Sequence, residues 1–296
     1  MKKRIFITGG TGRIGRCVAD ALRETGNYDI VVGTRGEGNG DDIVQVDYTS
    51  QESLIEALKG VHTVVHLGFF MRSSQFVEEH IDHNVKTAYY LYEAARINGV
   101  KRIIFGSSNH IFGFYKKGTH ITSDSLYRPD SNYALAKCMV ELIGRYYADR
   151  FGVSCFNLRI GNFSDDGNTP RDDRATYVWL SSKDCGQLFI KSIEYDENCM
   201  YHSMFGMSDN EGIYFDTSNN AVIGYEPEDD GAIYRGKTNP SRVGRFYRLP
   251  SDVITNHAYV GGYNNPMDQD GKIDEVYLAK LTAEYEEMKR LAKEQE

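Results

Sequence analysis

The sequence predicts an α/β fold, a doubly wound parallel sheet followed by a smaller C-terminal region. Three observations carry this expectation. Across the first 160 of the 296 residues, short apolar runs alternate with helix-periodic stretches. Most of those runs are continuous, as in strands covered on both faces; a half-exposed strand would alternate. The turn between the first run and the first helix reads "TGGTGRIG", with glycines at 9, 12 and 15.

Taken in order, "RIFIT" (4–8) is the first strand and residues 12–24 the first helix. "DIVVGT" (29–34), "DIVQV" (42–46), "HTVVHLG" (62–68), "KRIIFG" (101–106) and "VSCFNLRI" (153–160) are further strands. Between them, "SQESLIEALKG", "HNVKTAYYLYEAARING" and "SNYALAKCMVELIGRYYADRFG" read as helices. In the second of these Val85, Ala88, Leu91, Tyr92 and Ala95 recur at helical spacing, and Gly99 closes it. After residue 161 the pattern weakens. "GNFSDDGNTPRDDRATY" reads as a loop, "SSKDCGQLFIKSIEY" as a capped helix and "HSMFGM" as a strand, with a charged helix over 271–296.

Bulk properties exclude several classes. A net charge of −8 argues against a nucleic-acid-binding surface and leaves local arginines to meet any anion. The apolar runs fall far short of the roughly 20 residues that cross a bilayer. The start, "MKKRIFITGG", has too short an apolar stretch for a signal peptide. Five cysteines with no CxxC pair suggest reduced thiols and a cytoplasmic location, with neither a disulfide framework nor a zinc site. His80 and His83 lie one turn apart with no third ligand evident, so no metal is expected.

The glycines have a chemical reading. At the opening of a strand–helix unit, Gly9, Gly12 and Gly15 let the backbone approach a pyrophosphate, whose charge rests on the helix N-terminal N–H groups. The expected organisation is thus a dinucleotide-binding domain over 1–160, a substrate-binding region over 161–270 interwoven with it, and the helix 271–296. At the end of the second strand an acid would bind ribose hydroxyls, but the chain reads Thr34-Arg35. A guanidinium suits a 2′-phosphate and so favours NADP; the competing reading is a solvated loop arginine. Asp47 either accepts from an adenine amino group or is simply a helix N-terminal acid.

"SNYALAKC" puts Tyr133 and Lys137 four apart, on one helix face. A nearby ammonium and an oxidised nicotinamide both favour phenolate, so the tyrosine can take an alcohol proton near neutrality. With 21 tyrosines the spacing alone is weak evidence, and Tyr285 with Lys289 repeats it in the tail. What distinguishes Tyr133 is "GSSNH" (106–110) upstream, at the carboxyl end of a strand, the edge where open α/β sheets bind ligands.

Together the glycine turn, the strand-end serine and the tyrosine–lysine pair resemble the short-chain dehydrogenase/reductase superfamily. Asn84 and "LRIGN" (158–162) resemble its extended branch. "SSNH" with "GFY", "LYEAAR" and "RATYVWLSSKD" is similar to that branch's uronate dehydrogenases over roughly residues 1–230. The resemblance implies a Rossmann sheet and NAD-linked oxidation of a hexuronate at its C1 hemiacetal. It makes Tyr133 the base, Ser108 rather than Ser107 its partner, and Lys137 the third catalytic residue. Asn109, His110 and Asn162 would face the sugar and Arg174 its carboxylate, with Arg171 a rival and His110 equally readable as structural. Along the cofactor it implies Arg13, Ile14, Tyr48, Leu67, Gly68, Asn84 and Ile160, beside the glycines, Arg35 and Asp47.

Three departures stand out: the missing acid after the second strand, "FFMRSS" (69–74) in place of a small polar loop, and Asn162 in place of serine. Competing readings are a nucleotide-sugar epimerase or dehydratase, and a non-catalytic NADP-binding sensor. The extended branch also implies a homodimer through the helices at 84–98 and 131–150.

Overall fold

The computed structural model describes residues 2–36, 40–71, 76–116, 118–163, 169–196 and 198–237, and in the tail Ala279, Ala283, Glu287 and Arg290. Those four are helical and exposed. The rest of the expected terminal helix lies outside the described residues, as do Tyr285, Lys289 and residues 238–270.

Seven strands make one parallel sheet in the order β3-β2-β1-β4-β5-β6-β7. They are β1 (Lys3–Thr8), β2 (Tyr28–Thr34), β3 (Ile43–Gln45), β4 (Thr63–His66), β5 (Arg102–Ser108), β6 (Ser154–Ile160) and β7 (Tyr201–Gly206). Among the described residues before the tail the α-helices are α1 (Arg13–Thr25), α2 (Gln51–Ala57), α3 (Lys86–Ile97), α4 (Asn132–Phe151) and α5 (Ser182–Glu194). The order reverses between β1 and β4, which opens a crevice at the carboxyl ends of the strands.

Because side chains alternate across a strand, the continuous apolar runs feed two cores at once. Ile5, Ile7, Ile104 and Phe156 pack against Val18 and Leu22 of α1 and Leu188 and Phe189 of α5. Phe6, Ile103 and Phe105 face the other way, onto Leu54, Leu91, Tyr92 and Val140 of α2, α3 and α4. Each such side chain, fully buried, contributes about 1.5–3 kcal/mol. The region after residue 160 is bound into this body: α5 packs on α1, and β7 extends the sheet.

Two elements differ from the sequence reading. The fifth strand does not stop at Gly106; Ser107 and Ser108 stay in register with Arg159 and Ile160 of β6. And α3 is preceded by a π-helical segment, Phe76–Val85, where the pattern had suggested helix only from residue 83. Such wide turns are rare and gather at functional sites.

Candidate active site

A cleft of 1690 Å³ runs along the carboxyl ends of the strands, from Arg35 to Arg174. Its middle is the glycine turn. Gly9 has φ +66°, and a methyl there would lie 2.6 Å from the Gly68 amide nitrogen. A methyl at Gly15 would overlap the Gly9 carbonyl. No side chain caps α1, whereas Ser50, Ser131 and Ser181 cap α2, α4 and α5. The Gly12 N–H donates to the Gly9 carbonyl at 2.9 Å and closes the turn, and a dinucleotide pyrophosphate fits the uncapped start of α1 that follows it.

At one end, Arg35 follows β2 and stacks 4.8 Å over the Phe70 ring. Asp47 accepts from the Thr49 amide at 2.8 Å and hydroxyl at 2.7 Å, which holds its carboxyl below the usual range. It thus forms the turn before α2 while still lining the cleft. The Tyr48 hydroxyl is buried with no hydrogen-bond partner, and burial pushes its phenol up despite Arg35.

The end of β4 is tied to β1. Thr8 Oγ1 accepts from the amides of Leu67 at 3.1 Å and Gly68 at 2.9 Å, and meets His66 Nδ1 at 2.8 Å. Burial, with Lys137 adding to it, drives His66 down to about 3. Asn84 uses its amide on the same loop: Oδ1 accepts from the Phe70 N–H at 2.8 Å, and Nδ2 donates to the Phe70 carbonyl at 3.0 Å. Asn84 also lines the cleft, but its direct role is to pin this loop.

Tyr133 and Lys137 sit on the first two turns of α4, started by the Ser131 cap. Lys137 is buried; its ammonium donates to the Gly106 carbonyl at 2.5 Å and lies 5.4 Å from the Tyr133 ring centre. Burial pushes that ammonium well below the usual lysine range, with Glu141 opposing. Phe69 covers the pair, 3.7 Å from the ammonium and edge-on to Tyr133 at 5.6 Å.

The two serines divide. Ser107 donates to Glu141 at 2.5 Å, inside a buried group in which Arg159 and Tyr127 also bond Glu141, at 2.9 and 2.7 Å. Ser108 ends β5 in the cleft and accepts from the His110 amide at 3.2 Å, so it is not tied to that group. His110 pairs with the buried Asp130 at 2.7 Å, which orients its ring.

At the far end Asn109, Ile160, Asn162, Arg171 and Arg174 line the cleft. Asn162 Oδ1 is buried without a hydrogen-bond partner. Burial works to raise Asp172, but Arg174 and then Arg171 override it and hold the carboxyl below the usual range. Arg171 meets Asp172 at 3.1 Å. All the residues expected at a cofactor or sugar thus lie along one cleft. His80 is buried against Asn84, and His83 lies on Phe70. Among the described residues no group of three or more His, Cys, Asp or Glu side chains could hold a metal ion.

Sequence reasoning missed Glu141, Asp130 and the roles of Phe69 and Phe70. The one available signal was the pair of phenylalanines where a small loop was expected.

Known proteins share the sequence pattern and the fold. Residues 5–181 match the NAD dependent epimerase/dehydratase family. A uronate dehydrogenase of Pseudomonas syringae pv. tomato is 30% identical over 263 residues, covering 88% of this chain and 92% of that protein. An L-arabinose 1-dehydrogenase (NAD(P)(+)) of Haloferax volcanii is 31% identical over 250 residues, covering 77% and 98%. The crystal structure of a mutant uronate dehydrogenase from Agrobacterium tumefaciens complexed with NAD superposes with a TM-score of 0.75 at 27% identity, covering 88% and 96%. With the matched segment spanning the cradle, Ser108 and the Tyr133–Lys137 pair, the chain belongs to the NAD dependent epimerase/dehydratase family.

Proposed function

We propose that the protein oxidises the C1 hemiacetal hydroxyl of a sugar or sugar acid, with a hexuronate as the leading substrate. The observation that carries the reading is Tyr133 and Lys137 one helical turn apart, in the same cleft as Ser108 and the glycine cradle. When bound, a nicotinamide dinucleotide supplies the two-electron acceptor for the substrate carbon. The protein's part is to hold the substrate and move a proton. The Ser108 hydroxyl donates to the reacting oxygen, and the Tyr133 phenolate takes the hydroxyl proton onto Oη. The Lys137 ammonium favours the phenolate, and Phe69 keeps water from the pair.

Asn109, His110 and Asn162 bind sugar hydroxyls in this reading, and Arg174 takes the carboxylate. A guanidinium fork suits a carboxylate because two parallel bonds fix its orientation. Gly9, Gly12, Gly15 and the open start of α1 hold the diphosphate. Arg35 admits a 2′-phosphate, so NADP is accepted beside NAD; the Haloferax relative is itself named for both.

Two further readings complete the proposal. The exposed Tyr89 and Ile97 of α3, with Leu142, Tyr146 and Phe151 of α4, form an apolar face suited to pairing with a second copy. All five cysteines are free thiols, as a reducing cytoplasm keeps them.

The test is a screen of hexuronates and aldoses with each cofactor, following absorbance at 340 nm. Reduced cofactor from a hexuronate supports the reading. No reduction with any of them overturns it, and turnover of UDP- or dTDP-sugars without net reduction assigns an epimerase instead.

A further inference from the structure

The loop after β4 carries two adjacent phenylalanines that point to different ends of the cleft. Phe69 covers Lys137, whereas Phe70 lies beneath Arg35. In the sheet, β1 separates the strands these residues follow, so the loop after β4 must bend back across the end of β1. Over residues 67–70 it is held at two points. Thr8 Oγ1 holds Leu67 and Gly68, and Asn84 bonds both the N–H and the carbonyl of Phe70.

The π-helical segment explains how one element does this twice. His83 and Asn84 are consecutive within Phe76–Val85, yet both reach Phe70. Asn84 grips its backbone, and the His83 ring lies 5.2 Å from its ring at an angle of 38°. Phe70 is thus a plate with His83 on it and the Arg35 guanidinium 4.8 Å away. Among the described residues Arg35 has no carboxylate partner, and Gln45 Nε2 donates to its carbonyl at 3.3 Å, which steadies the backbone.

We infer that Phe70 is a positioning residue, which holds the Arg35 guanidinium at the adenosine end of the cleft and so sets its preference for a phosphorylated ribose. The inference rests on the dinucleotide reading above. An arginine side chain is long and loses much rotamer freedom on binding. A guanidinium already stacked on a ring has lost part of that freedom beforehand, and its edge N–H groups still face outward to phosphate oxygens. The plate therefore acts on the 2′-phosphate through Arg35.

The test uses direct binding to the full-length protein, so it does not depend on turnover or on the sugar. Calorimetric titration with 2′,5′-ADP and with ADP gives an affinity ratio that cancels effects common to both ligands. The wild-type protein is expected to favour 2′,5′-ADP by roughly tenfold or more, through charge-assisted bonds from Arg35. Phe70→Leu is expected to cut that preference roughly three- to fivefold, as suits a partly exposed cation–π contact. Phe70→Tyr, which keeps the ring, should retain it. In an Arg35→Ala background Phe70→Leu should leave the ratio where it stands. Equal affinities in the wild type, an unchanged ratio in Phe70→Leu, or the same loss with and without Arg35 would each overturn the inference. Sugar oxidation that persists alongside such a result leaves the proposed activity standing, so the two readings fail separately.

Discussion

The Lys137 ammonium lies 3.7 Å from the centre of the Phe69 ring and donates to the Gly106 carbonyl. Burial lowers its proton affinity, so the unfolded chain binds the proton more tightly than the folded one. Stability should therefore rise with pH, from the lowered folded value up to the ordinary lysine value near about 10.4. Urea unfolding followed with rising pH up to about 10 should show this slope in the wild type, and Lys137→Met should lose it. Phe69→Ala, which admits water to the ammonium, should flatten it.

The neighbouring serines should separate by substitution. Ser107 serves the buried Glu141–Arg159 pair, so Ser107→Ala is expected to cost about 1–3 kcal/mol of stability with kcat within about fivefold. Ser108→Ala should cost about 1 kcal/mol through the lost His110 amide bond and lower kcat about a hundredfold, since it removes a donor to the reacting oxygen. Thermal unfolding and steady-state kinetics on both variants check the division.

His66 gives an acid-side signature. Its folded value is about 3 against an ordinary value near 6.5, so the folded protein keeps it neutral. Stability from this group is whole above about pH 6.5 and falls as pH drops toward 3, by up to about 1.4 kcal/mol per unit. His66→Gln should remove this one-proton component from the acid limb of stability against pH.

Carboxylate recognition should fall on one arginine. Arg174→Ala is expected to raise KM for a hexuronate about tenfold to a hundredfold, the loss of a charge-assisted pair, with little change for a neutral aldose. If Arg171→Ala gives that pattern and Arg174→Ala does not, the clamp is Arg171.

How much of this was legible in the sequence follows from the range of each interaction. The glycine turn and the Tyr133–Lys137 pair are local patterns, with spacings that already specify a turn and a helix face. Glu141 is not local. On α4 it reads as one more charged helix residue, and its partners Ser107 and Arg159 lie 34 and 18 residues away on two strands. Asp130 meets His110 across 20 residues. The π-helical turn was hidden because apolar spacing marks the regular helix from Val85 onward, while the wider turn before it places His83 and Asn84 against Phe70 of the β4 loop and His80 against Asn84. "GSSNH" was recognisable as a polar strand end, but that Ser107 turns to Glu141 while Ser108 stays in the cleft depends on the pleat of β5.

The most direct test is Tyr133→Phe, assayed with a hexuronate and NAD or NADP while cofactor binding is followed by fluorescence titration. Cofactor affinity is expected to stay close to that of the wild type while kcat falls about a hundredfold to ten-thousandfold, as when a positioned base is removed. A variant that binds cofactor and oxidises the sugar at the wild-type rate would contradict the role of Tyr133 as the base.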